Sequence, residues 1–244
     1  MRVPDGAVLF KPFKNIFICV LTRNIMILTL HGIVLLSTVV ITILSAVLAF
    51  FLTLKYFKLK SKNYLFWSIG LWFFAVGVIL EVLFALGLYS EVMIDSYLTI
   101  VALLVEALAL GSVQFLGKTV KKIYYIYAII TTVAIIFSFF FVRVGNIIVN
   151  YVVFGLLPMF TTVISAIITF PAAAIIIASA YLAARRTKAY TDRKVRRHKN
   201  LQMSSIIAGV VVVSIAGTLY IAAYPELLYW SEFFGILLLW LGFI

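Results

Sequence analysis

Seven stretches of this chain are apolar and lack the strict alternation of polar and apolar positions: Ile25 to Leu54, Tyr64 to Tyr89, Ser96 to Leu116, Ile123 to Val142, Ile147 to Ala184, Met203 to Tyr224 and Leu227 to Ile244. Each is at or near the ~20 residues that a helix needs to cross ~30 Å of hydrocarbon. A barrel strand would instead alternate over roughly ten positions, so the runs predict helices. The expected fold is all-α: a polytopic, seven-transmembrane-helix bundle forming one domain over residues 25–244. Residues 1–24 are left as an N-terminal interfacial extension, because the apolar stretch Ile16 to Thr22 is too short to span. The fifth run is long enough to be interrupted, with a break expected near Pro158. Pro171 then falls near the middle of a helix from Met159 to Ala184, where a proline frees the carbonyl of Ile167 and kinks the helix.

Charge sets the expected topology. All 20 lysines and arginines lie outside the seven runs. Lys55, Lys58, Lys60 and Lys62 follow the first run, Lys118, Lys121 and Lys122 follow the third, and Arg185 to Lys199 follow the fifth. The alternate loops carry Arg143 beside Glu91, Asp95 and Glu226. Short loops rich in lysine and arginine stay in the cytoplasm, which predicts an outside N-terminus, a cytoplasmic C-terminus and a multi-pass plasma-membrane protein. The head segment, with Arg2, Lys11, Lys14 and Arg23, fits that orientation less well. The net charge of +12 and pI near 9.8 then report topology, so nucleic acid is not an expected partner. The lipid bilayer is. The basic loop containing Arg193, Lys194, Arg196 and Arg197 is a candidate contact for anionic lipid, at about 1 kcal/mol per charge near the surface.

Three acids lie inside the runs: Glu81, Glu106 and Glu232. On insertion scales each costs on the order of 3 kcal/mol in hydrocarbon unless it is neutralised, paired or hydrated, so all three are expected to face the bundle interior. Helical spacing agrees, placing Gly70, Phe74, Gly77 and Glu81 on one stripe, Thr99, Glu106 and Gln114 on another, and Glu232, Gly235, Leu239 and Gly242 on a third. Small residues beside an acid permit close helix approach. With His31 and Thr218 at similar expected depths, the reading is one polar intramembrane pocket, open to the outside, made of Glu81, Glu106, Glu232, His31, Gln114 and Thr218. No basic residue lies in any run to pair with the acids, so Glu81 and Glu106 are expected to carry a proton at least part of the time. The competing use of such a group is structural, a protonated glutamate bonding a neighbouring helix.

Several chemistries lack their residues. Retinal attachment needs a lysine in the last helix, and none follows Lys199. Paired haem-binding histidines are missing, since His31 stands alone in the runs and His198 sits among basic residues. Cys19 is the only cysteine, which removes intrachain disulfides and cysteine metal clusters. There is no Walker motif, dinucleotide fingerprint or zinc spacing. The sequence therefore implies no catalytic residues, no metal and no cofactor, and an enzyme is not the expected class. Tryptophans 67, 230 and 240 and tyrosines 124, 125 and 127 sit mostly near run ends, where an interfacial aromatic belt is the ordinary expectation.

Phe66-Trp67, the segment Glu81 to Gly87, Gly111-Ser112, and Ser231 to Gly235 together give the chain its likeness to known proteins. On these patterns it resembles a group of uncharacterised prokaryotic seven-helix integral membrane proteins, distinct from the retinal-binding rhodopsins. The resemblance implies a fold and a membrane location and no activity. The functional expectation is binding or translocation of a small ligand, proton or cation at the acidic pocket. Two alternatives stand beside it: a structural or accessory subunit whose glutamates meet a membrane protein partner, and a seven-helix sensor signalling through a cytoplasmic partner.

Overall fold

The computed structural model describes the backbone of residues 11–141, 148–149, 152–153, 159–186, 193–221 and 225–243, with side chains at 32, 35–138, 159–160, 163–186, 193–212 and 230–243. Among these residues are seven α-helices: α1 (Lys11–Leu59), α2 (Lys62–Ala85), α3 (Glu91–Ser112), α4 (Lys118–Phe141), α5 (Met159–Arg186), α6 (Arg193–Ile221) and α7 (Pro225–Phe243). A 3-10 turn, Val113–Phe115, ends α3. Five stretches are long and apolar enough to cross a membrane: Leu35–Leu59, Lys62–Ala85, Glu91–Phe115, Lys118–Ser138 and Val163–Arg186; Trp230–Phe243 is a shorter apolar helix.

The outward faces are as apolar as the core. On α4, Ile123, Ile126, Ile129, Ile130, Val133 and Phe137 are exposed, while Tyr124, Ala128, Thr131, Ile135 and Ser138 are buried. A contiguous aliphatic face of that kind is suited to lipid and not to water. Inside, hydroxyl side chains satisfy themselves on their own helices: Ser45 donates to Thr42 O, Ser68 to Leu65 O, Ser138 to Ile135 O and Ser179 to Ile176 O. Donating one turn back is what Ser and Thr can do without leaving their helix, and a carboxyl cannot.

The turn between α2 and α3 sets the register of that hairpin. Gly87 adopts φ 78°, and the N–H groups of Gly87 and Leu88 donate to the carbonyls of Phe84 and Leu83, closing α2 in a left-handed cap that glycine takes without strain. Ser90 caps α3, its hydroxyl accepting from the Met93 N–H at 3.3 Å. Facing positions are then symmetric about residue 89. A Cβ on Gly70 would lie 3.0 Å from Leu108, and one on Gly111 would lie 2.3 Å from the Trp67 ring. At Gly111 the indole takes the space a side chain would need. The same closeness joins α6 to α7, where a Cβ on Gly242 would lie 2.4 Å from Ile206. Both inward stripes expected around Glu81 and Glu232 are buried at their glycines, Gly70, Gly77, Gly235 and Gly242.

Several segments differ from the expectation or extend it. Residues 11–24 are helical and continuous with α1, giving one 49-residue helix. Pro12 sits in the first turn, where proline is tolerated, and none recurs to stop the helix; charges such as Arg23 mark a membrane boundary but do not break a helix. Within the fifth run α5 begins at Met159, and ahead of it Ile148–Val149 pairs antiparallel with Val152–Val153, β-branched residues that favour a pleated backbone. The supposed basic loop is helical from Arg193 onward, because arginine and lysine are good helix formers and no glycine or proline interrupts residues 193–202. Trp67 and Trp240 are not belt residues. Trp67 is 8% exposed and donates to Ser112 Oγ at 3.2 Å, and Trp240 donates to the Leu44 carbonyl at 3.0 Å; Trp230 alone of the three is exposed.

Candidate functional site

Glu81 lies one turn before the end of α2, and the hairpin symmetry sets Tyr97 of α3 opposite it. The Tyr97 hydroxyl donates to Glu81 Oε1 at 2.6 Å. From α7, the side chain of Glu232 comes close enough to the Glu81 carboxyl for the two acids to interact. Both acids are buried, Glu81 at 2% and Glu232 at 8% exposure. Neither Glu81 Oε2 nor Glu232 Oε2 faces a donor hydrogen. No lysine or arginine occurs between Lys62 and Lys118 or after Lys199, so α2, α3 and α7 have no cation to offer at this depth.

Glu106 sits elsewhere. Tyr97 and Glu106 are nine residues apart on α3, about two and a half turns and ~14 Å of rise, so they leave opposite faces of the helix. Glu106 turns toward α4, where Thr131 Oγ1 donates to its Oε1 at 2.5 Å and Thr132 Oγ1 to its Oε2 at 2.7 Å. Hydroxyl to carboxylate bonds of that length are at the strong end of the range. Thr131 Oγ1 is also 2.9 Å from the Tyr127 carbonyl one turn back, so the Glu106 contact is tied into the α4 backbone. Tyr124 and Tyr127 are close enough to interact electrostatically with Glu106.

The expected pocket is therefore divided by α3. Glu81 and Glu232 come together, and Glu106 belongs to the α3–α4 contact. Gln114 is near the other end of α3, donating to the Leu110 carbonyl at 2.9 Å and to the Tyr125 hydroxyl at 2.8 Å; its place on the Glu106 stripe fixed its face but not its depth. The side chains of His31 and Thr218 lie outside the described residues. Pro171 is inside α5, and the carbonyl it frees, that of Ile167, accepts a hydrogen bond from the Tyr127 hydroxyl of α4. Arg193, Lys194 and Arg197 are exposed on the first turns of α6, and Arg196 is half-buried there. Among the described residues no group of three or more metal-ligating side chains occurs.

The partners missing from the sequence reading are Tyr97, Thr131, Thr132 and Tyr127. A signal for Tyr97 was present: once Gly87 and Ser90 mark the turn, position 97 is the mirror of position 81. Comparison with protein-family models, with curated proteins and with solved structures finds no match to this chain.

Proposed function

We propose that this chain is a seven-span plasma-membrane protein, with its N-terminus outside and its C-terminus cytoplasmic, which binds and releases a proton at the Glu81–Glu232 pair as part of transport or ion coupling. The observation that carries this reading is the meeting of two buried carboxyls from α2 and α7 with no cation near them among the described residues. Two ionised carboxylates in contact would repel strongly in a medium of low dielectric constant. A proton held between them relieves the repulsion and supplies the donor that Glu81 Oε2 and Glu232 Oε2 lack. The Tyr97 hydroxyl stabilises whatever negative charge remains on Glu81. Intramembrane acids that face a bundle interior are the usual elements of proton relays.

The seven-span count rests on the seven apolar runs and on the distribution of basic residues, which gathers Lys55 to Lys62, Lys118 to Lys122 and Arg185 to Lys199 at one end. Within the bundle, Lys55 Nζ donates to the Phe243 carbonyl at 2.7 Å, which supports α1 and α7 ending on the same side. Cysteines placed at Ser90 and Lys60 should label from opposite sides of intact cells; labelling of both from one side would remove α2 as a span.

Infrared difference spectroscopy of the reconstituted protein tests the proton site. Carboxyl stretching bands should appear and vanish with pH in the wild type and be altered by Glu81→Gln and by Glu232→Gln. Bands unaffected by pH or by both substitutions would leave the pair as a fixed structural contact. A structural role is favoured by observation at one acid only: Glu106, whose two oxygens are both met by α4 hydroxyls.

A further inference from the structure

Between α4 and α5 runs an open groove of about 480 Å³, walled by Val120, Ile123 and Tyr127 on one side and Pro171, Ala174 and Ala178 on the other. Its two walls each span eight residues, about 10.5 Å of helix from first to last, or roughly a third of a bilayer's hydrocarbon thickness. The deep end is closed where the Tyr127 hydroxyl bonds the Ile167 carbonyl. The other end opens among cations from two helices. Lys118, Lys121 and Lys122 occupy the first turns of α4, which has no acidic residue in its first turn, and Arg185 and Arg186 occupy the last turn of α5. The Arg185 guanidinium lies 5.4 Å over the Tyr181 ring, which leans it along α5 toward the groove. Amide groups at the α4 N-terminus add to the positive potential.

An apolar trough that ends in concentrated positive charge matches an amphiphile with an anionic head. We propose that the groove holds one acyl chain of an anionic phospholipid, whose phosphate is bound by Lys121 and Arg185. The site is separate from the Glu81–Glu232 pair and from the basic turns of α6. Lipid is the fitting source of the phosphate because the walls are apolar over their length and face the exposed side of the bundle, where Ala174 and Ala178 are themselves exposed.

The test is retention of phosphatidylglycerol and phosphatidylcholine by the purified protein, read by native mass spectrometry. The wild type should retain phosphatidylglycerol at least tenfold better. Lys121→Gln/Arg185→Gln should reduce that retention at least tenfold, and Ala174→Phe, which fills the groove, should do the same; Ala178→Phe is the replacement if Ala174→Phe fails to fold. Inorganic phosphate at equal concentration should displace little lipid, whereas full displacement by phosphate together with normal retention in Ala174→Phe would show a headgroup site without the groove. Equal loss of both lipids in Ala174→Phe would show an apolar trough without charge selection. Loss of retention on neutralising Arg193, Lys194, Arg196 and Arg197, with none in the Lys121/Arg185 double variant, would place the lipid on α6. Each of these three results overturns the proposal.

Discussion

Glu81 and Glu106 are equally buried, both at 2% exposure, and their surroundings could hardly differ more. Glu106 meets two hydroxyls presented by adjacent residues of the next helix in sequence, and each oxygen has a donor. Glu81 has one hydroxyl, from Tyr97, and on its other side a second acid from the far end of the chain. Burial alone therefore does not separate a structural acid from one proposed to exchange a proton. The partner does. Hydroxyl donors complete a carboxylate and hold two helices together, while a second carboxyl needs a proton to be tolerated at all, which makes the proton the variable component.

The largest effect expected from this contrast is on proton movement. In proteoliposomes, Glu81→Gln and Glu232→Gln should each lower proton flux or proton-coupled uptake at least tenfold while leaving thermal stability in detergent unchanged or higher, since glutamine keeps the size and removes the like-charge conflict. Glu106→Gln should leave flux near wild type. Flux lost in Glu106→Gln and kept in Glu81→Gln would reverse the assignment.

Next is stability at the Glu106 contact. Glu106→Ala should cost about 2 kcal/mol, the range for two hydrogen bonds to a charged acceptor inside a membrane bundle, seen as a lowered thermal midpoint. A similar but purely steric cost, on the order of 1–3 kcal/mol, is expected for Gly111→Ala, because the new methyl would overlap the Trp67 ring. Undiminished stability there would mean that the α2–α3 hairpin gives way more easily than its caps suggest.

The smallest expected effect is at the proline. Tyr127→Phe removes the donor to the Ile167 carbonyl and should cost about 0.6 kcal/mol, the average for a polar contact between membrane helices. Pro171→Ala in the same background should recover it by restoring a backbone donor. If Tyr127→Phe alone changed proton flux tenfold, the kink would belong to the proton site and the two regions would no longer be separable.

The acids differ in how far sequence could reach them. The inward stripes through Gly77 and Glu81 and through Glu232 and Gly235 follow from a period of 3.6 alone, and burial bears them out. The Glu81–Tyr97 and Glu106–Thr131 contacts lie within hairpins of consecutive helices, so a turn position and a symmetric count would locate them. Gln114 shows the limit of that reasoning: a shared stripe places it on the Glu106 face, but its depth takes it to Tyr125 instead. The long α1, the β-branched hairpin before α5 and the helical basic segment of α6 were hidden for another reason. Hydropathy and charge mark where a membrane lies, and a helix can run past that boundary or begin short of it.

By itself the sequence determined that this protein is helical, that five of its helices are long and apolar enough to cross a membrane, that the three acids inside its apolar runs face inward, and that most of its basic residues gather in a few short segments. Those follow from local quantities: run length, period and the cost of charge in hydrocarbon. Only the tertiary structure decided that Glu81 meets Glu232 and that Glu106 does not join them. These two acids are separated by about 150 residues of chain, and no periodicity or turn rule spans that interval. Their meeting depends on how α7 packs against α1, α2 and α6 through close contacts such as Gly242 with Ile206 and Phe243 with Trp67, and packing between distant helices is a property of the whole assembled bundle.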